Sequence, residues 1–274
     1  MRKILFLLLI VMLSLVLGKP IILTWPQEEW SIAKVNERLI LELNLWNLRS
    51  AKGSAVMVFN KGMVVFSANL YDITQITPEG WVTGYPEIFY GYKPWNKYYV
   101  KGRWLKLPVR IKNLPPVYLV VNYTLWFKKP LSLNMAYDLW ITRKKFSKGI
   151  GEGDIELMIW LFHTNLAPAG KEVGSFTIPV FINNRRQKIT WEVWVGEFQW
   201  TVVTFKTNKP LKGKIKFKLN KFITITNTVI KRLKNKSIFN HFLEDIELGT
   251  EFGNPDAKEA IFGWMIFSFK ISKK

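Results

Sequence analysis

The sequence predicts an all-β fold: a two-sheet antiparallel sandwich with jelly-roll wiring, a concave cleft and one packed helix. Three observations predict it. Apolar and polar residues alternate at period two along most of the chain, the repeat of a strand with one buried face. Turn-forming residues recur at short intervals between these runs. Only one segment changes to helical spacing.

The alternating runs cover residues 38–47, 54–60, 63–70, 117–127, 133–142 and 155–163. They continue over 175–182, 188–195, 200–207, 214–219, 242–248 and 260–271. Twelve strands with tight turns describe two packed sheets. The helix is expected over residues 220–236, where Phe222, Ile225, Val229 and Leu233 recur on one face and basic residues end the last turn. It is expected to lie against the outside of the sandwich.

Residues 1–18 are set apart as a secretory signal. Arg2 and Lys3 precede an apolar run too short to span a membrane comfortably, and small residues follow at a plausible cleavage point. An uncleaved N-terminal anchor is the competing reading. Residues 19–274 then form one domain, with no linker, repeat or low-complexity tract, and no later stretch of membrane-spanning length. The expectation is a monomer that is secreted or periplasmic. With no cysteine, disulfides and thiolate zinc sites are excluded. The formal charge is +20, or +18 without Arg2 and Lys3. Lys212, Lys214, Lys216 and Lys218 alternate along one strand, which reads as a solvated face rather than a nucleic-acid surface. The 13 Trp, 9 Tyr and 19 Phe exceed what the core needs, and flat rings suit sugar rings.

Strand parity sorts the candidate site. Ile155, Leu157, Ile159 and Leu161 form a core row, leaving Glu156, Met158, Trp160 and Phe162 on the other face. Leu39, Leu41, Leu43 and Leu45 likewise leave Glu42, Asn44 and Trp46. Leu133, Met135, Tyr137, Leu139 and Ile141 leave Asn134, Asp138 and Trp140. Acids, amides and indoles sharing the non-core face of several strands point to an aromatic-lined cleft. A solvated face would instead carry Lys, Thr and Ser.

Elimination narrows the chemistry. His163 and His241 lack a nucleophile-elbow context and an acid pattern for zinc, and no glycine-rich phosphate loop opens a helix. No cofactor or metal is expected. Carboxylate chemistry remains. Glycoside hydrolysis needs two acids flanking one bond, and Glu156 is the first candidate. In the acidic stretch 242–253, Ile246 and Leu248 read as inward, which puts Glu247, Gly249 and Glu251 on the cleft face. Glu251 lies between glycines and beside Phe252, a setting that raises a carboxyl pKa toward acid duty. By parity alone, ordinary solvated acids compete with this pair.

Several segments resemble glycoside hydrolase family 12. They are Glu156-Leu157-Met158-Ile159-Trp160, Gly249-Thr250-Glu251-Phe252-Gly253, Asn44-Leu45-Trp46, the run 84–95, Tyr137-Asp138-Leu139-Trp140 and Ala167-Pro168-Ala169-Gly170. Their order and spacing are kept from about Leu39 onward, and the Gly-Tyr-Pro-Glu and Lys-Pro-Trp motifs look like the family's thermophilic branch. The resemblance implies a jelly roll, retaining endo-β-1,4-glucanase activity and a β-glucan partner. It implies Glu156 as nucleophile, Glu251 as acid/base and Asp138 as an acid hydrogen-bonded to the nucleophile. Met158 would lie beneath the sugar at the cleaved bond, and Asn44 and Trp46 would serve the non-reducing-end subsites. Trp46 is the expected sugar platform, with Tyr85, Pro86 and Trp200 as further substrate contacts. Many family members carry Asn where Glu87 stands, which leaves subsite preference open. A non-catalytic carbohydrate-binding sandwich is the alternative; such a module has no need of two close carboxylates.

Overall fold

The computed structural model describes residues 19–27, 31–77, 82–96 and 98–273; the expected signal lies outside them. The chain begins with β1 (Ile21–Trp25), β2 (Ile32–Asn36), β3 (Leu39–Glu42), β4 (Leu48–Asn60), β5 (Met63–Gln75) and β6 (Glu87–Gly91). It continues through β7 (Val109–Arg110), β8 (Tyr118–Phe127), β9 (Leu133–Thr142), β10 (Ile155–Thr164), β11 (Lys171–Ile182) and β12 (Arg185–Glu197). After β13 (Thr201–Thr207) and β14 (Gly213–Lys218) come α1 (Leu219–Lys234), β15 (Phe242–Leu243), β16 (Asp245–Gly249) and β17 (Glu259–Ser272).

Two hydrogen-bonded layers result. The back sheet runs β1-β4-β5-β17-β8-β14-β11. The cleft sheet runs β2-β3-β6-β16-β9-β10-β13-β12. The β11–β12 hairpin joins them into one strongly bent ladder. Pairing is antiparallel with one departure: β10 and β13 run parallel. The inward rows of both layers merge into a single core, with Tyr137 and Leu139 facing residues such as Phe217, Phe262 and Trp264.

Four expectations need correction. First, β3 ends at Glu42, and Asn44 takes a left-handed φ of 43°, so the run 38–47 is a short strand followed by a turn. Asparagine tolerates that conformation, and Leu43 and Leu45 still reach the core. Second, a bulge between Trp160 and Phe162 breaks the parity of β10 and turns Phe162 toward the core, with its ring against Phe127. Third, the buried face of α1 is Leu219, Phe222, Ile223, Thr226, Val229 and Ile230, while Leu233 is exposed. Fourth, that helix keeps an outer face in solvent, at Lys221, Thr224 and Thr228, but its inner face goes deeper than surface packing requires. Phe222 inserts between the layers and meets Trp191, Phe205 and Phe217 at ring-centre distances of 5.0–5.1 Å.

Candidate active site

A cleft of about 470 Å³ opens on the non-core face of the cleft sheet. Its floor is Ala136, Met158, Trp160 and Val202, from three adjacent strands. Asp138 on β9 sits between Met158 of β10 and Glu247 of β16 in the ladder, so these strands deliver three cleft side chains side by side. Glu156 lies one alternate position along β10. Glu251 follows the end of β16 and reaches the same cleft. Pairing and parity therefore bring Glu156, Glu251 and Asp138 to one place.

Each carboxyl is held differently. Trp200 donates its indole N–H to Glu156 Oε2 at 2.6 Å, and its ring meets Trp140 edge-on. Burial pushes the Glu156 carboxyl up to about 7, with the indole hydrogen bond opposing. Asn134 grips Glu251 twice: its amide nitrogen donates to Oε2, and its Oδ1 accepts from the Glu251 main-chain N–H at 2.9 Å. Burial pushes Glu251 up to about 8, reinforced by the nearby charge of Glu156 and opposed by Asn134. The charge of Glu156 also raises the pKa of Asp138, so the three carboxyls influence one another's protonation. Asp138 is buried, its Oδ1 has no hydrogen-bond partner, and burial followed by the charge of Glu156 raises its pKa strongly. No hydrogen bond from Asp138 to Glu156 is formed among the described contacts.

A buried charge cluster is built into the cleft wall, with Lys93 and Glu247 lining the cleft. The Lys93 ammonium contacts Glu87 Oε1, Glu42 Oε2 at 3.2 Å and Glu247 Oε2 at 3.5 Å. Burial raises the pKa of both Glu87 and Glu247, with Lys93 opposing in each case. Glu87 Oε2 and Glu247 Oε1 are each left without a hydrogen-bond partner, as is Asp245 Oδ2. Asn44 Nδ2 donates to Glu87 Oε1 at 2.8 Å, which fixes the amide that lines the cleft.

The remaining sequence candidates divide. Trp46 is 39% exposed on the cleft rim, and Met158 lies on the floor. Tyr85 lines the cleft but is mostly buried, its hydroxyl tied to the Ala136 carbonyl at 2.9 Å. Trp200 lines the cleft and also holds Glu156, a contact that its sequence position does not announce. Pro86 is buried outside the lining; its carbonyl accepts the Thr250 N–H and supports the approach to Glu251. Sequence reasoning gives no role to Asn134, Lys93, Trp95 or Phe198. Parity puts Asn134 on the face of Asp138 but does not name Glu251 as its partner. Trp95 and Phe198 are 50% and 55% exposed at the cleft and stand outside the strands, where parity says nothing.

The glycosyl hydrolase family 12 model matches residues 37–272. The chain belongs to glycosyl hydrolase family 12. It is accordingly a glycoside hydrolase, and the non-catalytic alternative is not favoured. Endoglucanase S of Pectobacterium parmentieri is 23% identical over 237 residues, covering 84% of this chain and 82% of that protein. Endoglucanase cel12A from Rhodothermus marinus superposes with a TM-score of 0.67 at 22% identity, covering 92% of this chain and 98% of the other. A family 12 xyloglucanase from Bacillus licheniformis gives 0.70 at 19% identity, covering 92% and 99%. These likenesses show the jelly-roll fold.

Proposed function

We propose that this family 12 hydrolase is a retaining endo-β-1,4-glucanase acting on cellulose-type β-glucan, with Glu156 as nucleophile and Glu251 as acid/base. One observation carries the proposal. Two carboxyls from different segments converge in one aromatic-rimmed cleft, and burial there raises the pKa of both, to about 7 for Glu156 and about 8 for Glu251. Where Glu156 is ionised and Glu251 protonated, Glu251 donates its proton to the glycosidic oxygen as Glu156 attacks the anomeric carbon. The leaving chain departs with that proton, and a covalent glycosyl ester remains on Glu156. Glu251, now ionised, takes a proton from water as the water displaces Glu156 from the anomeric carbon. Asp138, kept protonated by burial beside Glu156, leaves the nucleophile as the ionised group of the two.

Trp46 and Asn44 are assigned to subsites on one side of the cleaved bond, with Met158 and Tyr85 beneath the chain. The names of the relatives, endoglucanases and a xyloglucanase, support a β-glucan substrate. Export and a monomeric state belong to the same proposal. Among the described residues, no helix is long and apolar enough to cross a membrane. The test is reducing-sugar release from soluble β-1,4-glucans, with proton NMR of the first-formed reducing end. The proposal expects the β-anomer first. An α-anomer first refutes retention, and no release from any β-glucan refutes the substrate class.

A further inference from the structure

The back sheet carries a large aromatic that the cleft does not use. Trp126 stands on β8, in the back sheet, away from the cleft. Its strand neighbours Leu125 and Phe127 pack against the core, while Trp126 points away and is 39% exposed, the same as Trp46 at the cleft. Its cross-strand partner on β17 is Gly263. A Cβ at Gly263 would stand 2.4 Å from Trp126 Cζ2 and 2.7 Å from Cε2, and 2.5 Å from the Phe66 carbonyl oxygen. Glycine in a strand interior weakens the strand, and here it accommodates close approach of both groups. The indole therefore lies down on the sheet over Gly263 and keeps its outer face in solvent.

The row that starts at this ring is neutral. Gly263 pairs with Ser67 on β5, Ser67 with Val56 on β4, and Val56 with Thr24 on β1. None of these side chains ionises. In the next row Asn69 accepts from the Tyr71 hydroxyl at 2.8 Å. The nearby Lys128 and Glu259 neutralise each other at 2.7 Å. The cations of this sheet gather elsewhere, with Lys214, Lys216 and Lys270 lining a separate hollow beside Phe181. Adjacent strands stand about 4.8 Å apart, close to the length of one hexose in an extended β-linked chain. A flat exposed ring followed by hydroxyls and an amide, free of net charge, suits an uncharged sugar polymer and not a polyanion.

We infer that Trp126 and the row through Gly263 and Ser67 form a second glucan-binding surface on the back of the molecule, where a neutral β-linked glucan chain stacks on the indole away from the cleft. The ligand class rests on the proposed function. Binding is read by affinity electrophoresis of the full chain through gels containing a soluble β-1,4-glucan, in a Glu156→Gln background so that the gel is not consumed. Catalysis is read separately as kcat/KM on a short aryl cello-oligosaccharide, in the otherwise native enzyme.

Trp126→Ala should weaken gel retardation about tenfold, within the range that loss of one ring-stacking contact gives, and leave kcat/KM unchanged. Gly263→Ala, which lifts the ring from its seat, should weaken retardation as well. The losses from Trp126→Ala and Trp46→Ala should multiply, as for independent sites. Retardation unchanged in both Trp126→Ala and Gly263→Ala overturns the inference, as does a loss seen only in gels of an acidic polysaccharide. Equal losses of retardation and of oligosaccharide kcat/KM would assign Trp126 a structural role and also overturn it. Absence of hydrolysis with Trp126-dependent retardation intact would count against the proposed function while supporting this surface.

Discussion

Trp200→Phe isolates one hydrogen bond. The indole touches Glu156 through a single N–H donated to Oε2 at 2.6 Å, while its ring packs on Trp140 and Phe198. Phenylalanine keeps a ring in that place and deletes the donor. A hydrogen bond to a charged acceptor contributes about 1.5–3 kcal/mol, and one pKa unit is about 1.4 kcal/mol. Loss of the donor removes support from the ionised carboxylate alone, so the Glu156 pKa rises, by roughly 1–2 units, from its value of about 7. The acid limb of kcat/KM reports the ionisation of the nucleophile in the free enzyme. It should move to higher pH by that amount, and activity on the acid side should fall about 10- to 100-fold. The maximum should fall too, because Glu156 would then titrate close to Glu251, at about 8, and fewer molecules hold the required pair of protonation states. The assay is kcat/KM for an aryl cello-oligosaccharide across pH. An acid limb that stays in place, or moves toward lower pH, refutes the reasoning.

Asn134→Ala removes the amide that opposes the raised pKa of Glu251. The alkaline limb should move up by about one unit, and the same pH series reads it; an alkaline limb that moves down would contradict the assignment. Trp46→Ala should weaken glucan binding by roughly 1–3 kcal/mol, the scale of ring stacking. It should appear in KM for polymer or in direct titration, and a KM within twofold of the parent would remove the platform role. Stability should also depend on pH. Glu156 and Glu244 at about 7, and Glu251 at about 8, all lie above their ordinary value of 4.5, so these three carboxyls bind more protons in the folded state, outnumbering His163 and His241, whose burial lowers their pKa and acts in the opposite sense. The contribution of the carboxyls is fully present below about 4.5 and is lost as pH rises through 7 to 8. Tm should therefore fall between pH 5 and 8, less so in Glu251→Gln, and a Tm that climbs across that interval would contradict the sign.

How much of the site is legible in the sequence depends on which strand faces differ in their surroundings. β9 and β10 have core on one side and cleft on the other, so period two alone separates Tyr137 from Asp138 and Leu157 from Glu156. β6 escapes the alternation pattern for the opposite reason. All five of its residues are buried, with core on one face and the Lys93 cluster around Glu87 on the other, so no alternation survives. The helix is visible by its period, yet its direction is not, because an apolar stripe does not say which gap it fills. Trp126 and Trp140 look alike in sequence, and only the pairing of β8 with β17 and of β9 with β10 sends one to the back sheet and the other to the cleft. The Asn134 grip on Glu251 and the Trp200 contact with Glu156 join residues 117 and 44 positions apart, a separation that strand parity does not bridge.

The division of labour between Glu156 and Glu251 is tested most directly by azide rescue. Each glutamate is replaced by alanine, and each variant receives a cello-oligosaccharide with a good leaving group plus excess azide. With Glu156→Ala, azide enters the space left by the nucleophile and displaces the leaving group directly, so the expected product is the inverted α-glycosyl azide. With Glu251→Ala, the covalent ester still forms on Glu156 and azide displaces it in a second step, so the predicted product is the β-glycosyl azide. Proton NMR of the isolated azides reads the configuration. Exchanged configurations would show that the two roles are reversed, and hydrolysis undiminished in either variant would show that the chemistry belongs to another acid.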